Sequence, residues 1–199
     1  MARRNLKASI VSAALLAVAA AASAQEAGPG PLVVSDPVLS ASVDRLTEGS
    51  ASWRDAIGAV AATGRRAFLV TPDRVKSPMD PDTLAQVYPL ADDPSRVDSV
   101  VVVVNLDLLQ KLSGLPVTAA DYEDDVDRIL AHEVYGHAIP FLMAGTMSGY
   151  CADPAIGQSA LMACAIQREN TIRREMRLGQ RFEYGRQSLA IARRDRQYH

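Results

Sequence analysis

The chain has 199 residues, 21 Lys+Arg against 23 Asp+Glu, a formal net charge of −2 and 5% aromatic residues. Near-neutral charge and scarce stacking residues argue against a nucleic-acid binder, while 48% hydrophobic content suits a globular domain with a sizeable core. Residues 1–24 read as a secretory signal peptide: Arg3, Arg4 and Lys7 form a positive start, Ala8 to Ala22 an apolar stretch, and Ala22-Ser23-Ala24 a small-x-small cleavage pattern. The alternative is a retained anchor, but the stretch is short for a membrane span and lacks a charged stop-transfer flank.

The mature chain then begins near Gln25, keeps no stable membrane span and works in the periplasm or as a secreted protein. Its Lys+Arg fall from 21 to 18 once Arg3, Arg4 and Lys7 are removed, against the same 23 Asp+Glu. Arginines gather from Arg168 onward, but Glu169, Glu175, Glu183 and Asp195 interleave with them, which suits a solvated helix face better than a nucleic-acid surface. Cys151 and Cys164 are the only cysteines. In an oxidising compartment such a pair is expected as a disulfide, with two free buried thiols as the competing reading.

In chain order, residues 25–35 are Gly/Pro-rich and read as a flexible mature N-terminus, leaving 36–199 as a single domain. Asp36 to Ala62 carries apolar residues at helical spacing, from Val38 and Leu39 to Ile57 and Val60. Ala67-Phe68-Leu69-Val70 before Thr71-Pro72 predicts a strand and turn, and a Pro/Asp-rich loop follows. Ser99 to Leu106, with Val100 through Val104, predicts a strand buried on both faces. Thr118 is the expected cap of a helix striped by Val126, Ile129, Leu130 and Val134, with a kink or break at Pro140 and an end at Gly145. A second long helix should start at Asp153-Pro154 or a few residues later and stop at Gly179. The fold class expected is α+β, a small sheet followed by two long helices that carry the chemistry.

The chemistry concentrates in His132-Glu133-Val134-Tyr135-Gly136-His137, which holds two of the chain's three histidines; the third is His199. The common zinc-hydrolase helix spaces its histidines four apart, on one face. Here they are five apart, which in a regular α-helix turns the second histidine about 140° from the first. A single π-helical bulge would bring both to one face, and Gly136 supplies permissive backbone for it. The competing reading is an ordinary amphipathic helix with surface or core histidines. Glu169 interrupts the apolar stripe of the next helix (Met162, Ala165, Ile166, Ile172, Met176), where a carboxylate is costly unless paired or metal-bound. It is the candidate third ligand, with a salt bridge to a nearby arginine as the alternative and Glu175 and Asp153 in reserve. Glu133 is the candidate general base. Candidates behind the ligands or at the oxyanion are Asn170, Arg173, Tyr135, Tyr150 and Tyr184.

The six-residue motif resembles the H-E-L-L-G-H signature of the dipeptidyl-peptidase III family, and the wider arrangement is similar to glutamate-type zincins. Arg168-Glu169-Asn170-Thr171-Ile172-Arg173 also resembles the second helix of short secreted or effector-type bacterial zinc peptidases. The resemblance covers residues 125 to 180. It implies a zincin-like pair of helices, a zinc (Zn2+) cofactor held by His132, His137 and Glu169, and a metallopeptidase acting on a peptide or protein substrate. The chain is far smaller than the dipeptidyl peptidases and has Arg168-Glu169 in place of their doubled glutamate, so exopeptidase specificity is not implied. The alternative function is a metal- or partner-binding domain on that scaffold without turnover.

Overall fold

The computed structural model describes residues 30–76, 79–91, 93, 96–146 and 158–181, and for residues 158–163 the backbone alone. The expected signal segment 1–24, Tyr150, Cys151, Asp153, Tyr184 and His199 lie outside the described residues. Cys164 is half-buried on the last helix.

The elements run β1 (Leu32–Val34), α1 (Pro37–Gly49), α2 (Ala51–Thr63), β2 (Arg66–Val70), β3 (Ala85–Leu90), β4 (Ser99–Val104), α3 (Leu106–Ser113), α4 (Ala120–Leu130), a π-helical segment Ala131–Ala138, α5 (Ile139–Ala144) and α6 (Gln158–Glu175). The sheet order is β1-β2-β4-β3. β1 and β2 are parallel, as are β2 and β4, and β3 is antiparallel to β4. The molecule is therefore α+β with a small mixed sheet. β4 lies between β2 and β3, and its valines 100 to 104 are at most 1% exposed, which accounts for an unbroken β-branched run.

Several expectations are corrected by tertiary contacts. Leu32 to Val34 falls in the segment expected to be flexible, yet pairs with Ala67 to Leu69 of β2. β3 escaped notice because Pro89 breaks its apolar pattern; proline is tolerated there because the strand is an edge. The helical stretch after Asp36 is two helices. Ser50 ends the first and caps the second, its hydroxyl accepting from Trp53 N–H at 3.0 Å. α3 was not expected at all. It is capped by Asn105, whose Oδ1 accepts from Leu108 N–H at 3.0 Å, and closed by Gly114 in the left-handed region.

The N-cap of α4 is Ala119, which makes no side-chain cap, so Thr118 does not have that role; Asp121 and Glu123 instead complement the helix dipole in the first turn. From Ala120 the helical path continues through the π segment and α5 to Gly145, whose φ of 68° ends it. Pro140 does not break this path, although it follows the π segment directly and brings no N–H to the helix. α6 ends at Glu175, with Arg177 in the left-handed region (φ 58°) and Leu178 N–H donating to Arg173 O at 2.8 Å. That is a helix-closing pattern two residues before the Gly179 expected to make the stop.

Candidate metal centre

The site is built on the π segment and on α6, which packs against it. α4 supplies the rigid approach: its buried stripe of Tyr122, Val126, Ile129 and Leu130 joins the core, which continues through Ala131, Val134 and Ala138. In the π segment the N–H of Ile139 donates to Val134 O, five residues back. This wider winding advances each residue by a smaller angle, so residues five apart come to share a face. His132 and His137 do share one. Their Nε2 atoms are 3.3 Å apart, with ring centroids at 4.8 Å and planes at 89°.

His132 is 5% exposed and its Nδ1 lies 2.9 Å from Glu169 Oε2. Glu169 is fully buried. Burial alone would raise its carboxyl, but the His132 hydrogen bond and the positive charges of Arg173 and Arg181 hold it below the usual carboxylate range. An ionised carboxylate only accepts hydrogen bonds, so His132 Nδ1 donates to it and Nε2 is the edge turned toward His137. Burial, together with the neighbouring His132, lowers His137 to about 4, so its imidazole is neutral across the neutral pH range. The two imidazoles thus converge on their Nε2 atoms.

The spacing fits a metal. A tetrahedral zinc with Zn–N of about 2.0–2.1 Å sets two nitrogens about 3.3–3.4 Å apart. Among the described residues, no group of three or more His, Cys, Asp and Glu side chains is arranged to hold an ion. Glu169 was expected as the third ligand. The structure puts it instead on the Nδ1 edge of His132, away from the Nε2 that faces His137. Arg173 Nε also lies 2.6 Å from its Oε1, and Arg181 Nη1 donates to its Oε2 at 3.1 Å. The salt-bridge alternative for Glu169 is thus realised twice over, and a histidine is bound as well.

The other candidates take definite places. Glu133 is half-buried between the histidines in sequence, and burial pushes its carboxyl up, with the negative charge of Glu169 adding to the shift. Arg173 is 1% exposed, paired with Glu169 and donating to Gly179 O at 3.2 Å, so it braces Glu169 and is not poised over an oxyanion. Asn170 holds the backbone of Arg181 on both sides: Nδ2 donates to Arg181 O at 2.6 Å and Oδ1 accepts from Arg181 N–H at 2.7 Å. It therefore supports Glu169 through Arg181. Tyr135 lies under the guanidinium of Arg168. Glu175 binds Ser50 and Ser52 at the start of α2, which removes it as a reserve ligand.

Sequence reasoning missed Arg181 and Arg168. Arg181 follows the end of α6 in no periodic relation to Glu169. Arg168 was visible only as a neighbour of Glu169. Neither a family model, nor a curated protein, nor a solved structure matches the chain.

Proposed function

We propose that this chain is a zinc-dependent hydrolase, a metallopeptidase acting on peptide bonds from a zincin-like pair of helices, and that it works after export. The observation that carries the reading is the 3.3 Å separation of His132 Nε2 and His137 Nε2 across a five-residue spacing. An ordinary amphipathic helix has no reason to adopt a costly π winding that points two imidazoles at one spot. His132 and His137 would hold the ion. When bound, zinc supplies a Lewis acid and lowers the pKa of a water toward about 7.

The chain's own residues do the rest. Glu169 accepts the Nδ1 proton of His132 and so fixes the tautomer that leaves Nε2 free to ligate. Glu133, with its carboxyl raised, takes a proton from the attacking water and passes it to the leaving amine. The raised carboxyl makes Glu133 a stronger base toward that water. A Cys151–Cys164 bridge would tether the chain just before the described part of α6 and restrain where Glu169 arrives.

Zinc content and hydrolysis of a peptide library, measured on the purified protein and on three variants, test the reading. Glu133→Gln should keep stoichiometric zinc and lose about 10²–10⁴-fold in turnover. His137→Ala should lose both zinc and turnover. Glu169→Ala should weaken zinc about 10–100-fold, the loss expected of a residue that orients a ligand. A far larger loss would return Glu169 to the role of ligand. A wild-type protein that binds no zinc, or a His137→Ala variant that keeps it, sinks the proposal.

A further inference from the structure

We propose that Arg168 is a positioning residue that holds Ala131–Ala138 in its π winding through the Tyr135 carbonyl, and so keeps His137 beside His132. This deepens the metal-site reading above and rests on it for its consequence, though its structural part stands on the helix itself.

The argument is an accounting of backbone donors. In α-helical winding the Tyr135 carbonyl would accept from Ile139 N–H, but that N–H goes to Val134 O. In π winding its donor would be residue 140, which is a proline and has no N–H. Neither winding leaves the Tyr135 carbonyl a donor in its own helix. Arg168 supplies one from α6: its Nε donates to Tyr135 O at 2.8 Å, while its guanidinium lies 4.6 Å over the Tyr135 ring. One side chain thus grips both the backbone and the side chain of a residue that stands between the two histidines.

Pro140 also tells against the alternative winding. In a regular α-helix its ring would press on the carbonyl four residues earlier, that of Gly136. Gly136 in turn touches α6: a Cβ there would stand 3.2 Å from Ala165 O and 3.4 Å from Ala165 Cβ. Ala165, Arg168 and Glu169 therefore meet Gly136, Tyr135 and His132 in succession, running antiparallel along the two helices. If the segment relaxed to α winding, His137 would stand about 140° from His132 around the axis and could not share its ion.

Arg168→Met and Arg168→Lys in the full chain, made metal-free and then titrated with zinc against a competing chelator, test this. Hydrogen exchange of the metal-free protein is the first readout. In Arg168→Met the amides of residues 134–139 should exchange about tenfold faster or more while α1 and α2 keep their protection. Zinc affinity should fall about 10–100-fold, with Arg168→Lys retaining part of both effects. Deleting Val134 restores the four-residue histidine spacing in an ordinary α-helix, so in that background zinc affinity should no longer depend on residue 168. Unchanged exchange at 134–139 in Arg168→Met overturns the proposal, as does faster exchange spread evenly over every helix. Zinc-free wild-type protein would defeat the metal-site reading alone, because the exchange comparison still decides the role of Arg168.

Discussion

Asp127 and Glu169 are buried carboxylates on the helices that build the site, and their surroundings differ. Asp127 on α4 is 2% exposed, accepting from Ser42 Oγ at 2.6 Å and from Arg45 through Nη2 at 2.7 Å and Nε at 3.0 Å. Glu169 on α6 is fully buried and meets Arg173, Arg181 and His132. Both are burdened by desolvation and both are relieved by arginine. The Asp127 cluster leads outward, since the Arg45 side chain is 30% exposed and its far side meets water. The Glu169 cluster leads along the helix contact, from the buried carboxylate to buried His132 and on to half-buried His137. A buried ion pair by itself therefore says little about function. What distinguishes the second cluster is that it ends on two imidazoles whose Nε2 atoms face each other at 3.3 Å.

The largest effect that would sharpen this contrast is the cost of removing each carboxylate from the metal-free protein. Glu169→Ala strands two buried guanidinium groups, and we expect a loss of about 3–5 kcal/mol in chemical denaturation. Asp127→Ala should cost less, about 1–3 kcal/mol, because Arg45 can turn to solvent. Equal costs would erase the distinction between the two clusters.

Acid titration probes the Glu169 cluster from its other end. His137 titrates at about 4 in the folded protein against an ordinary 6.5, so between those values the unfolded chain binds the extra proton and the folded chain does not. Stability of the metal-free protein is therefore whole above about 6.5 and is lost as pH falls toward about 4. Glu169, also lowered, extends the loss to more acid conditions, and Glu133, raised, opposes it. Thermal unfolding of chelator-treated protein through this range should show the decline, and His137→Gln should flatten it. An unchanged slope in the variant would place the titrating group elsewhere.

Packing at the helix contact gives an effect of similar or smaller size. Gly136→Ala presses a methyl group on the Ala165 backbone, for about 1–3 kcal/mol of destabilisation and a looser site. The smallest expected effect is Ser42→Ala. It removes one hydrogen bond from Asp127 while Arg45 stays, for about 1 kcal/mol and no change in zinc binding. A zinc defect in Ser42→Ala would join the two clusters that we treat as separate.

Much of this was written in local residue order. The valine run of β4, the strand at Ala67–Val70 and the left-handed stop at Gly145 each follow from residue type and spacing, because each is a contest between backbone geometries settled within a few residues. The costly placement of Glu169 on an apolar stripe was legible for the same reason. Its partners were not. Whether Glu169 meets an ion, an arginine or the Nδ1 of His132 depends on the separation and rotation of two packed helices, which no spacing within either helix encodes. The edge position of β3 excuses Pro89, and pairing with β2 orders Leu32 to Val34, because a strand is stabilised by hydrogen bonds to residues far away in sequence. The donor missing from Tyr135 follows from Pro140 by counting along the chain, but that Arg168 fills it was decided only when α6 came to rest against the π segment.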